Sequence, residues 1–322
     1  MHNFVLNAEK NLVTKKTIVN IIGATGIGKT SLSLELAKHF NTEIISSDSR
    51  QLYKEMSIGT AVPSKAELSS IKHHFIQHKS IQNTYNAGMF ELEALDKINK
   101  IFLKKDLIVM VGGSGLYSDA VLYGLDHFPK VDSEIRKKLN HEIESGHIKV
   151  LQEQLHDLDP ISYNNIDLHN PQRLIRALEI CIGTGKPYAS FKENSIQKRA
   201  FDFITVGLNA ERDYIYQRIN NRVDNMIEEG LLKEVSSLYA FKDFAALKTV
   251  GYKEIFNFLD GEYPLDFAVT EIKKNTRRFA KRQITWNKKY DTAKWFNAQA
   301  LRANEVIAFI ENNLKRTNDE QI

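Results

Sequence analysis

The stretch "KTIVNIIGATGIGKTSLSLELAKHF", residues 16–40, fixes more of the architecture than any other part of the chain. A β-branched run leads straight into a glycine-rich loop, and the loop leads straight into Leu32, Leu36 and Phe40 at helical spacing. Gly23, Ala24, Thr25, Gly26, Ile27, Gly28, Lys29 and Thr30 fit the phosphate-loop pattern GxxxxGK[ST] in full. The glycines let the backbone curl and aim its N–H groups inward. The helix that follows presents the positive end of its dipole to an anion. Lys29 adds a point charge, and the Thr30 hydroxyl is placed to hold Mg2+. The default ligand of such a loop is a nucleotide, usually ATP.

The first third of the chain continues to alternate in the same way. "TEIISSDS" reads as a second short strand, "AGMFELEALDKINKIFLKK" as an amphipathic helix, and "DLIVMVGG" as a buried strand ended by two glycines. Between residues 121 and 200 strand signals vanish and the texture is polar and helical. "FDFITVGL" restores strand character, helices run to about residue 290, "TAKWFN" reads as a last strand, and the polar C-terminal tail is expected to fray. The fold class is therefore α/β. A P-loop NTPase-like parallel sheet flanked by helices (residues 1–120 and 201–322) carries a helical insertion domain (121–200).

Composition excludes several alternatives. The only cysteine, Cys181, rules out an internal disulfide or a cysteine-based zinc site. No apolar run approaches the roughly 20 residues of a membrane span. The N-terminal "MHNFVLNAEKNLVTKK" lacks the apolar centre of a signal peptide, so a cytoplasmic location with no membrane partner is expected. His73, His74 and His78 cluster without carboxylate or thiolate ligands, which suits a structural role or part of a substrate wall.

Which phosphate the loop holds is a separate question. A P-loop NTPase has a second apolar strand ending in Asp. Here "LIVMV" ends in Gly112-Gly113-Ser114-Gly115, with no carboxylate for several residues. That leaves a small-molecule kinase, or an enzyme that grips a diphosphate leaving group. Asp48 lies just beyond the second strand, on the carboxyl edge where ligands of open parallel sheets sit. It can accept a proton from a nucleophile, or simply cap a helix. Asn170 and Pro171 suit a helix start, with Gln172, Arg173 and Arg176 on its polar side. Arg218 and Arg222 form an i,i+4 pair. Both sets are also compatible with solvated helix faces.

"GATGIGKT", "SSDSRQLYKEMSIGTAVP", "VGGSGLY", "HNPQRLIRALEI", "TGKP", "TVGYKE" and "RRFAKRQITW" occur in an order and spacing that resembles the tRNA dimethylallyltransferases, over roughly residues 17 to 290. The resemblance implies transfer of a dimethylallyl group from dimethylallyl diphosphate to the N6 amine of the adenosine next to the anticodon. Its implied partners are that diphosphate, with Mg2+, and the anticodon stem-loop of tRNA. A monomer is expected. On this reading the loop and Arg218 stabilise the departing diphosphate, Thr25 contacts it, Thr30 holds the metal, and Asp48 takes the amine proton. Asp48, Ser49, Arg50 and Gln51, then Ser114, Arg136 and the segment Gln172-Arg173-Leu174-Ile175-Arg176, match tRNA contacts, with the insertion domain among the contacting parts. Ser114 stands where the family usually has Thr, and Ala24 where it usually has Pro.

"EIKKNTRRFAKRQITWNKKY" concentrates Lys273, Lys274, Arg277, Arg278, Lys281, Arg282, Lys288 and Lys289 in a chain whose net charge is only +4. Ile272, Thr276, Phe279, Gln283 and Trp286 form its more apolar stripe. Arg277, Arg278, Lys281 and Arg282 are candidates for contact with an RNA backbone, or they form a solvated face. A prenyltransferase acting on free adenine nucleotides needs no such surface. A kinase would move phosphate, and a non-catalytic RNA-binding module would release no diphosphate.

Overall fold

A computed structural model describes residues 15–192 and 197–319. The stretch read for a signal peptide lies, up to residue 14, outside the described residues. Two compact units emerge. One runs to Tyr123 and resumes at Arg199, and the other is Gly124–Lys198.

In chain order the elements are β1 (Thr17–Gly23), α1 (Lys29–His39), β2 (Ile44–Ser46), α2 (Lys65–Ser70), β3 (His73–His74), α3 (Ala87–Phe102), β4 (Leu107–Val111) and α4 (Gly115–Leu122). The second unit holds α5 (Ser133–Glu144), α6 (Ile148–Leu158), α7 (Pro160–Asn165) and α8 (Pro171–Thr184). The first unit then resumes with β5 (Asp202–Asn209), α9 (Arg212–Glu228), α10 (Leu231–Ser237), α11 (Tyr252–Leu259), α12 (Leu265–Asn287), β6 (Lys294–Asn297) and α13 (Ala303–Asp319).

The strands form one sheet in the order β3-β2-β4-β1-β5-β6, and every neighbouring pair is parallel. Successive side chains on β1 go to opposite faces. Ile18 packs with Ile45, Ile108 and Met110 under Phe90, Ile98 and Tyr252. Val19 and Ile21 pack with Val109 and Val206 under Leu32 and Leu36. Helices on both faces explain why β4 reads as an unbroken apolar run. The loops after β1, β2 and β4 leave the same carboxyl edge side by side.

Where the polar composition of the tail suggests fraying, the described residues form a helix through Asp319. α13 buries Val306 and Ile310 completely against the α1 side of the sheet. The two stand four apart, and a fully buried Val or Ile contributes roughly 1.5 to 3 kcal/mol, enough to order a mostly polar helix. β3 carries no strand signature in the sequence. It forms because Ile44 and Ile45 of β2 supply a register for His73 and His74.

The insertion boundary differs by a few residues from the sequence texture. Val121 and Leu122 end α4 and are buried in the sheet unit. Arg199 donates to the carbonyls of Ala120 and Val121 and to the Glu91 carboxylate. Within the second unit, α5, α6 and α8 close over Leu139, Leu151, Leu155, Leu174, Ile175 and Leu178. Asn170 caps α8 by accepting from the N–H groups of Gln172 at 3.1 Å and Arg173 at 3.3 Å, and Pro171 takes the first helical position.

Candidate active site

The phosphate loop joins β1 to α1. Gly28 makes the last bend at φ 110, a left-handed conformation in which a side chain would be strained. Lys29 folds back over the loop, its Nζ donating to the carbonyls of Gly23 and Ala24 at 2.9 Å each. Burial first and the neighbouring Arg222 second lower the Lys29 pKa, against the opposing charge of Asp48, to about 8. Arg218 Nε donates to the Gly26 carbonyl at 2.6 Å, and Arg222 Nη1 reaches the Thr25 hydroxyl at 3.4 Å. The i,i+4 spacing on α9 thus brings both arginines to the loop. Arg222 is the half-buried one. Sequence reasoning noted the pair but assigned only Arg218.

Asp48 performs the capping task and faces the site as well. Its Oδ1 accepts from the N–H groups of Arg50 at 2.8 Å and Gln51 at 3.2 Å, closing a turn where the sequence alternative was a helix. Its Oδ2 accepts from Gly113 N–H at 3.2 Å. The Ser114 hydroxyl bridges the Ser49 N–H and the Ser49 hydroxyl at 2.9 and 2.8 Å. Arg50 donates to the carbonyls of Ala245 and Ala246, and Gln51 to those of Thr60 and Ala61. Part of the expected RNA-contact segment is therefore already committed to holding neighbouring loops.

Two cavities meet here. The first, about 720 Å³, is lined by Ser114, Tyr117, Val223, Met226, Ile272 and Trp286, among others. The second, about 490 Å³, is the phosphate-loop chamber with Lys29, Thr30, Gln51, His73 and Arg218. Thr25, Asp48, Gly113, Arg222, Phe279 and Gln283 line both. Gln51 thus faces the phosphate chamber, and His73 forms part of its wall. Among the described residues no three His, Cys, Asp or Glu side chains form a metal cluster.

α12 divides its charges between two environments. Lys273 pairs with Asp224 at 2.5 Å and Lys274 with Glu271 at 2.7 Å. Arg277 donates to Asn220 at 2.8 Å and lies half-buried over Tyr216, so it belongs to the α9 packing and not to an open surface. This corrects its grouping with the other three. Arg278, Lys281 and Arg282 line an exposed groove with Thr285, Trp286 and Lys289. Arg282 and Trp286 also line the first cavity, so the groove borders it. Asp119, buried within α4, accepts from the Trp286 indole at 3.1 Å, from Tyr290 at 2.6 Å and from Lys289, which fixes this end of α12.

A family model described as IPP transferase matches residues 51–290. The chain belongs to the IPP transferase family. A tRNA dimethylallyltransferase from Flavobacterium johnsoniae is 52% identical over 93% of this chain and 99% of its own length. One from Christiangramia forsetii is 55% identical over 92% and 98%. Among solved structures, the tRNA isopentenylpyrophosphate transferase of Bacillus halodurans superposes with a TM-score of 0.71 at 35% identity, covering 95% of this chain and 99% of that one. A eukaryotic dimethylallyltransferase acting on tRNA gives 0.75 at 30%, covering 92% and 80%.

Not every residue of this IPP transferase family member that the resemblance marks for tRNA contact has a side chain able to make one. Leu174 and Ile175 are 0% and 1% exposed in the core of the second unit, so their side chains hold α8 in place and are not offered to RNA. Gln172 and Arg173 are exposed on its first turn. Arg136 and Arg176 converge on Glu179, Arg136 with two bonds at 2.5 and 2.8 Å. Burial pushes the Glu179 pKa up, but these two arginines hold it below its usual range.

Proposed function

We propose that this chain transfers a dimethylallyl group from dimethylallyl diphosphate to the N6 amine of the adenosine beside the anticodon of tRNA, releasing diphosphate. The observation that carries the reading is the meeting of two cavities at Asp48. One is a phosphate chamber, and the other borders a basic, aromatic groove. The diphosphate sits among the phosphate-loop amides, Lys29, Arg218 and Arg222. The target base leaves its stack and enters from the groove side, as base-modifying enzymes require. The C–O bond to the diphosphate breaks as the N–C bond forms, the bonding electrons depart with the diphosphate, and the amine proton passes to the Asp48 carboxylate. Positive charge on the allylic carbon and negative charge on the leaving group develop together, so electrostatic stabilisation of the diphosphate is the main catalytic device.

A divalent ion, taken as Mg2+, fits this chamber. Thr30 supplies a hydroxyl on its wall, and Mg2+ is commonly held by one or two protein oxygens together with phosphate oxygens and water. Bound there, it would neutralise leaving-group charge. The enzyme is read as a cytosolic monomer. Among the described residues no helix is long and apolar enough to cross a membrane. Incubation with dimethylallyl diphosphate, Mg2+ and unmodified tRNA, then nuclease digestion and mass analysis, should yield isopentenyl adenosine. Product on free adenosine monophosphate but none on tRNA would sink the reading.

Two further results are expected. Replacing Arg278, Lys281 and Arg282 together by alanine should weaken tRNA binding at least tenfold near physiological salt and reduce the salt slope by about two to three, since each phosphate contact contributes close to one. Affinity for dimethylallyl diphosphate should not move. An unchanged slope would show that the groove is only solvated surface. The second concerns pH. A bound anion favours charged Lys29, so its pKa rises on binding. Affinity should be greatest below pH 8 and fall as the free enzyme loses that proton above about 8. The fall is up to about tenfold per pH unit, as one proton is then taken up on binding. The ligand's phosphate charges are complete by then, their last pKa being about 6. Lys29→Arg, which stays charged, should flatten the profile. A profile equally steep in Lys29→Arg would assign the dependence to another group.

A further inference from the structure

Gln283 lies on α12 one residue after Arg282, reaches the carboxyl edge of the sheet and is only 7% exposed. Its Oε1 accepts the N–H of Thr25 in the phosphate loop at 2.7 Å. Its Nε2 donates to the carbonyl of Gly113 in the turn after β4 at 2.8 Å. Gly113 in turn donates its own N–H to Asp48 Oδ2 at 3.2 Å. One side chain therefore closes a hydrogen-bonded path from the phosphate loop to the glycine turn and on to the carboxylate. The junction needs a donor and an acceptor on one group of this length, which glutamine supplies. It also needs glycine at 113. A Cβ there would fall 2.8 Å from Asp48 Oδ2 and 3.2 Å from Gln283 Nε2.

We propose that Gln283 is a positioning residue for prenyl transfer, setting the separation between the diphosphate held by the phosphate loop and the amine held at Asp48. The proposal rests on the prenyl-transfer reading above. Transfer between two separately bound partners needs the carbon and the amine at contact distance and in line, and a shift of about 1 Å can cost on the order of 10²-fold. Neither partner's affinity depends on that separation. Gln283 acts on the reaction through Thr25 and Gly113, and the geometry asks for no contact between it and the reacting atoms.

The test is a split between chemistry and binding. Gln283→Met keeps length and bulk but removes both bonds, and the groups it leaves border the cavities, where water can reach them. Single-turnover prenyl transfer at saturating dimethylallyl diphosphate and tRNA should fall ten- to a hundredfold. Dissociation constants for inorganic diphosphate and for tRNA should each stay within about threefold. Gln283→Glu keeps the acceptor for Thr25 but sets a second acceptor against the Gly113 carbonyl, and it should show the same split if Gln283→Met folds poorly. A transfer rate within twofold of the parent overturns the proposal. So does a rate loss matched by an equal loss of diphosphate affinity, because Gln283 would then only shape the loop. Failure of the parent enzyme itself to form product would instead overturn the functional reading.

Discussion

Asp48→Asn should lower single-turnover prenyl transfer by roughly 10²- to 10⁴-fold, the usual range for loss of a general base, while tRNA affinity stays within a few-fold. The amine of adenosine is a weak nucleophile because its lone pair is delocalised into the ring. It needs a carboxylate to orient it and to take its proton as the new bond forms. Asparagine preserves size and one acceptor. That acceptor can still serve the N–H groups of Arg50 and Gln51, so the turn should survive. What is lost is the charge and basicity of the carboxylate that lines both cavities, together with the acceptor for the Gly113 N–H. Single-turnover kinetics beside a tRNA titration separate the outcomes. Near-normal chemistry would reduce Asp48 to a turn cap. Lost tRNA affinity with chemistry intact at saturation would make it a binding residue.

Lys29→Ala should cost on the order of 10²-fold or more in turnover, the scale for deleting one electrostatic stabiliser. In the free chain the ammonium rests on the carbonyls of Gly23 and Ala24, at the mouth of the loop amides. A diphosphate there would share or replace those carbonyls as its partner. The bond strengthens as the C–O bond breaks and charge accumulates on the leaving group. The loss should therefore appear in the chemical step as well as in diphosphate affinity. Arg218 and Arg222 still face the chamber in the variant, which sets a floor under the remaining activity. Turnover within about threefold of the parent would refute the assignment of this chamber to the diphosphate.

The sequence alone determined the frame. Strand, glycine loop and helix occur within residues 16–40, and the buried parallel strand β4 betrays itself as a continuous apolar run. Local capping chemistry was equally legible at Asn170 and Pro171, because it depends on neighbours within one turn. The motifs named the family before any coordinate did. Roles that depend on residues far apart in the chain were not legible. Leu174 and Ile175 carry the same letters whether a helix buries them or offers them to RNA, and only the packing of α5 and α6 on α8 decides. Arg277 and Arg278 are adjacent cations, yet Asn220 on α9 claims one and the groove keeps the other. α13 looked like a loose polar tail because its two anchoring positions count for little until a sheet face receives them. Gln283 sits 258 positions from Thr25 and 170 from Gly113, so no local pattern could announce that it joins them. Periodicity and short motifs record what one segment does by itself. Which polar group meets which across the sheet edge follows from the order in which the strands assemble, and that is settled only when the chain is folded.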